Sequence, residues 1–96
     1  MKYDFHLAAQ RELQEAVDYY DAINPELGDA FLDEVERALE RIVNFPNAWA
    51  QLSPNTRRCR LLGFPYGIVY HNRGDHILVV AVMHFQRKPN DWSDRI

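Results

Sequence analysis

The chain has a single cysteine, Cys59, so no intrachain disulfide can brace it and the fold must rest on its own core. No apolar run approaches the roughly 20 residues that span a bilayer, and a membrane-spanning helix is not expected. The start, Met1-Lys2-Tyr3-Asp4-Phe5-His6, lacks the apolar stretch of a secretory leader, so the chain is expected to stay in the cytoplasm. Repeats, low-complexity tracts and linkers are also missing, and residues 1–96 read as one domain with a modest core. The histidines His6, His71 and His76 lack metal-ligand spacing, so no zinc site is expected; no cofactor is expected either.

Charge is present but unevenly placed. The formal net charge is −3, yet residues 1–53 hold eleven acidic and four basic side chains, while residues 54–96 hold three acidic and seven basic. Such a division suggests that the second half faces a polyanion or an acidic protein. The plainer alternative is that the acids and bases only solubilise their own elements.

The hydrophobic pattern changes period along the chain. Residues 2–6 alternate and predict a short strand. From Ala8, the positions Ala9, Leu13, Ala16, Val17, Tyr20 and Ile23 recur at helical spacing, with Glu12, Glu15, Asp18 and Asp21 opposite. Asn24-Pro25 ends that helix and starts another, because Asn caps well and Pro suits a first helical turn. Gly28 weakens this start and allows one nearer Asp29. Phe31, Val35, Ala38, Leu39 and Ile42 form the apolar stripe of the second helix, with Asp33 and Arg37 spaced as an i,i+4 ion pair. Phe45-Pro46 closes it.

Residues 46–56 then read as a loop. Strands are predicted over 57–64, 67–72 and 76–85, joined by Pro65-Tyr66-Gly67 and Arg73-Gly74-Asp75, turns short enough to require antiparallel hairpins. The fold class is α+β: a short first strand and an antiparallel helical hairpin packed on a small, mostly antiparallel sheet, in the order β-α-α-β-β-β. The apolar run from Ile77 to Phe85 reads as the central strand, and its end, near His84, Arg87, Lys88 and Trp92, is the expected position of a functional surface.

This order of elements resembles the RelE/ParE superfamily of bacterial type II toxins, which includes plasmid stabilisation proteins. The resemblance rests on Glu15-Ala16-Val17-Asp18-Tyr19-Tyr20, Phe31-Leu32-Asp33-Glu34-Val35 and Phe45-Pro46 in the helices. In the strands it rests on Arg57-Arg58-Cys59-Arg60-Leu61, Phe64-Pro65-Tyr66-Gly67-Ile68-Val69-Tyr70, and Val79-Val80-Ala81-Val82-Met83-His84 running on through Arg87 and Pro89 to Trp92. It implies a growth-inhibiting toxin neutralised by a cognate antitoxin protein. The superfamily divides into RelE-like members, which cleave messenger RNA on the ribosome, and ParE-like members, which inhibit DNA gyrase without cleaving RNA. The ParE-like, gyrase-directed reading is preferred. The ribosome-dependent mRNA endoribonuclease is its alternative, and an inactive antitoxin-binding module is a second. No membrane partner is implied, and self-association into a homo-oligomer is left open.

A metal-independent ribonuclease must activate a 2′-hydroxyl, steady the charge on the phosphate and protonate the leaving oxygen. The catalytic candidates are His84 as acid/base and Arg60 and Arg87 as phosphate-binding cations. Arg58 and Arg60 share strand parity and one face, whereas Cys59 and Leu61 point the other way, toward the core. The nucleic-acid- or antitoxin-binding candidates are Arg57, Arg58, Arg60, Arg73, Arg87, Lys88 and Trp92. Some nucleases of the superfamily rely on lysines and a C-terminal tyrosine; here the tail offers Lys88 and Trp92, and an indole cannot exchange protons as a phenol does. Each candidate also has a structural reading. His84 reads equally as a core histidine bonded to the backbone, Arg58 and Arg60 also read as cover for an exposed sheet face or as partners of the acidic helices, and Trp92 reads first as a packing residue that pins the tail.

Overall fold

The computed structural model describes residues 2–86 and 92–95. β1 (Lys2–Phe5) is followed by α1 (Leu7–Ile23) and α2 (Pro25–Asn44), then by β2 (Gln51–Ser53), β3 (Thr56–Arg60), β4 (Tyr66–Asn72) and β5 (His76–His84). A 3-10 turn spans Ser93–Arg95. The α+β order expected from the sequence is present with one strand added, β2, inside the predicted loop.

Local chemistry explains the boundaries. α1 starts one residue before the predicted Ala8 because His6, in extended backbone, caps it: its Nδ1 accepts from the Ala8 N–H at 3.0 Å. Asn24 alone joins the helices. Its N–H donates to the Tyr20 carbonyl and closes α1, while its Oδ1 accepts from the Glu26 N–H at 2.9 Å and opens α2. Gly28 does not delay α2, which begins at Pro25. Instead it brings the helices together, since an added Cβ would run into the Asp21 carboxylate of α1. Phe31, Val35, Ala38, Leu39 and Ile42 are all buried, as the stripe predicts. The ion pair that α2 makes joins Arg41 to Glu34, not Arg37 to Asp33.

The sheet order is β1-β5-β4-β3-β2, so the middle strand is β4 rather than the predicted last strand. β1 lies parallel to β5 and the other pairs are antiparallel. β2 escaped the sequence reading because it is three residues long and needs β3 for its register; Pro54-Asn55 turns it, and Ser53 Oγ meets Thr56 Oγ1 at 2.7 Å. β3 stops at Arg60, short of the predicted Phe64, because Gly63 takes a positive φ of 83° that bends the chain out of the ladder.

The helical hairpin covers one face of the sheet. There Phe31, Val35, Leu39 and Ile42 pack on Cys59, Leu61, Ile68, Tyr70, Ile77, Val79 and Val82. Tyr70, fully buried, donates its hydroxyl to the Pro46 carbonyl at 2.6 Å and so ties the chain after α2 to the middle strand. The opposite face carries a smaller cluster of Val69, Val80 and Ala81, with Leu78, Met83 and Trp92 against it. A β-bulge lies between the two register segments of β4 and β5: Val69 pairs with Ala81 but Tyr70 with Val79, leaving Val80 without an opposite number.

Candidate functional site

On the sheet face away from the helices, β3 presents Arg58 and Arg60. Both guanidinium groups lie over the ring of Phe85, at 4.9 and 4.6 Å from its centroid. Among the described residues neither pairs with a carboxylate. Gly67 on β4, between Arg60 and Met83, makes the stack possible. A Cβ there would sit 2.9 Å from Arg58 Cγ and 3.2 Å from Phe85 Cε1. The result is a pair of cations held by a shared ring, with no carboxylate partner among the described residues and donors suited to an anion. Strand alternation predicted that Arg58 and Arg60 share a face; the ring beneath them was missed. A glycine inside a predicted strand is the sequence signal for such a close approach.

The other candidates are placed elsewhere. Arg57 points to the helical side and donates from Nη1 to the Trp49 carbonyl at 2.7 Å. Arg73 lies in the turn between β4 and β5; burial, and after it the Arg73 charge and His76, lower the pKa of His71. Arg87 and Lys88 lie outside the described residues. Trp92 packs against the cluster of Val69, Val80 and Ala81.

His84 pairs with Tyr66 across the β4–β5 ladder, and both face the helices; their rings meet edge to face at 4.9 Å. Its Nδ1 accepts from the Gln86 N–H at 3.0 Å, so in this arrangement the neutral ring carries its proton on Nε2. Arg60, Gly67 and Met83 pair in register on the opposite face. A phosphate seated on Arg58 and Arg60 therefore lies across the sheet from the His84 imidazole.

Two further constellations hold polar groups at the edge of the core. Glu34, 5% exposed, accepts from Arg41 Nη2 and from the Leu62 N–H, each at 2.7 Å. The hydrogen bond to Glu34 raises Arg41 above its ordinary pKa, and burial pushes the neighbouring Cys59 thiol up despite that cation. Cys59 therefore rests as a buried thiol rather than a thiolate nucleophile. At the open edge of β5, Glu12 and Arg95 meet backbone groups of Val82 and Val80. Neither side chain stood out in the sequence, because their partners are backbone atoms far away along the chain. Among the described residues no group of three His, Cys, Asp or Glu side chains is placed to hold a metal ion. No helix among them is long and apolar enough to cross a membrane.

Residues 3–89 match the model of the ParE toxin of the type II toxin–antitoxin system parDE. Toxin ParE2 of Mycobacterium tuberculosis, in strains H37Rv and CDC 1551, is 31% identical over 86 residues, covering 88% of this chain and 82% of the relative. A solved structure described as the chromosomal ParDE toxin–antitoxin system from P. aeruginosa has the same fold, with a TM-score of 0.65 at 15% identity, over 90% of this chain and 97% of that one. A match along nearly the whole length, joined to the helical hairpin on its mixed sheet, fixes the assignment: the chain belongs to the ParE toxin family of type II toxin–antitoxin systems.

Proposed function

We propose that this toxin arrests growth from the cytoplasm by inhibiting DNA gyrase, without cleaving RNA, and that its antitoxin neutralises it by laying acidic groups on the Arg58–Arg60 pair. The observation that carries the non-nucleolytic reading is the separation of His84 from Arg58 and Arg60 by the sheet itself. Cleavage needs a proton-transfer group and phosphate-binding cations on one substrate, within hydrogen-bond reach of the reacting atoms. Inhibition by binding needs only a surface. The stacked arginines supply one, fixed by Phe85 and lacking an internal carboxylate among the described residues.

The ribonuclease reading draws on the same pair, since two preorganised guanidiniums also suit a phosphate. Inducing the chain without its antitoxin separates the alternatives. The expected outcome is growth arrest with intact messenger RNA and loss of gyrase supercoiling. Cleaved transcripts with normal supercoiling overturn the proposal. In that event His84→Ala and Arg60→Ala test whether those residues perform the cleavage. No growth defect at all favours an inactive antitoxin-binding module.

A further inference from the structure

β1 ends at Phe5, opposite Val79, so among the described residues no strand lies beside the outer edge of β5 from Val80 onward. Side chains meet the exposed backbone groups instead. The Val80 carbonyl accepts from Arg95 Nη1 at 2.9 Å, and the Val82 N–H donates to Glu12 Oε1 at 3.1 Å. Arg95 Nη1 also reaches both Glu12 oxygens, at 3.1 and 3.2 Å. One residue of α1 and one of the C-terminal 3-10 turn thus occupy the places that the N–H and C=O of a neighbouring strand would take.

A cleft runs beside this pair, between α1 and the edge, lined by Ala16, Tyr19, Val82, His84 and Trp92. Its volume of about 70 Å³ is too small for a metabolite and suits single side chains. Tyr19 is 60% exposed on its outer wall, an apolar contact left open. Glu12 and Glu15 line the cleft as well, and Arg95 is the cation paired there among the described residues.

We propose that the β5 edge from Val80 to His84 is a strand-addition site for an extended segment of the antitoxin carrying a basic side chain, and that the Glu12–Arg95 pair is an internal stand-in which this segment displaces. The proposal rests on the reading of this chain as a toxin held by an antitoxin. An unpaired strand edge takes main-chain hydrogen bonds from any extended peptide, and pockets beside it select alternate side chains. Charge selects the basic residue. Once Arg95 leaves, Glu12 is a largely covered carboxylate that needs a replacement cation, with Glu15 adding to the same field. A helical occupant would displace the same side chains and leave the Val80 carbonyl and Val82 N–H without partners.

The test titrates the full chain with a synthetic peptide of alternating valine and threonine around one central arginine, and follows binding by calorimetry. The controls are the same peptide with glutamate at the centre, and one N-methylated on alternate amides. The expected result is binding of the arginine peptide alone. Arg95→Ala should tighten it by about tenfold, because the competitor is gone, and Glu12→Gln should remove the preference for arginine over glutamate. Equal binding of the N-methylated peptide overturns strand addition in favour of a side-chain or helical contact. Unchanged or weaker affinity in Arg95→Ala overturns the displacement, and so does dimerisation of that variant without peptide binding, which would make a second copy the occupant. If Glu12→Gln melts early, Arg95→Ala carries the test alone, since its affinity change needs no second variant to interpret. Growth arrest and supercoiling play no part in this readout, so its failure leaves the toxin reading standing.

Discussion

Glu34 offers the sharpest quantitative check on how this fold is held together. It accepts a backbone N–H from Leu62 and a guanidinium hydrogen from Arg41, and it is almost fully buried. Hydrogen bonds to charged groups contribute about 1.5–3 kcal/mol each. The Arg41 side chain is 32% exposed and can turn to water, so its share is discounted. Glu34→Ala should therefore cost about 3 kcal/mol, a large fraction of the roughly 5–14 kcal/mol total for a chain of this length. In thermal unfolding that is a drop of about 12–24 °C. Glu34→Gln keeps an acceptor for the Leu62 N–H and should cost about half as much.

The more telling variant is Arg41→Ala. Although it removes the more exposed partner, it strands a buried carboxylate, and should cost about 3–5 kcal/mol. The double variant Glu34→Leu/Arg41→Met should recover the part of the loss due to the stranded charge, leaving only the cost of the Leu62 N–H that loses its acceptor. Urea denaturation of the four variants decides the matter. Purely additive penalties, or an Arg41→Ala cost below about 1 kcal/mol, would refute a coupled buried pair.

Other consequences concern titration and the arginine stack. Burial pushes the Tyr70 phenol up to about 12, so the native state favours the neutral form. Its stabilisation is complete below pH 10 and should be lost as pH rises toward 12, by roughly 2–3 kcal/mol in all. Urea midpoints between pH 9 and 11.5 should show this slope, and Tyr70→Phe should flatten it. His71 behaves in the opposite sense. Burial, then Arg73 and His76, lower its pKa, so stability is full above the unfolded value of 6.5 and declines as pH falls through the folded value. His71→Gln should reduce that decline in the same assay. Gly67→Ala must part Arg58 from Phe85, and the upfield ring-current shift of the Arg58 and Arg60 side-chain protons should shrink in NMR spectra; unchanged shifts would argue against the stack.

The elements that the sequence made legible are those specified by their own residues. The α2 stripe, the Asn24-Pro25 junction and the glycine-containing turn after β4 each carry their cause within a few positions. What escaped was decided by distant partners. β2 exists because β3 lies beside it. The change of face along β5 follows from its register with β4, and the Glu12–Arg95 pair is built from residues 83 positions apart. The arginine face was half legible: parity aligned Arg58 and Arg60, but only the folded sheet brings Phe85 under both.

The bulge at Val80 is the step on which the functional reading turns. Strict alternation from Ile77 and Val79 would carry Ala81 and Met83 to the helices and leave His84 on the face of Arg58 and Arg60. Instead Val80 and Ala81 both turn away from the helices, and Val82 and His84 turn toward them. One inserted residue therefore parts the histidine from the arginines. It also sets the strand edge, because the carbonyls of Val79 and Val80 are both taken from the outer side, the first by the His6 N–H and the second by Arg95. The bulge comes where β1 ends, at the first position of β5 that the sheet leaves uncovered. The separation of His84 from Arg58 and Arg60 and the side-chain-capped edge thus have one structural cause.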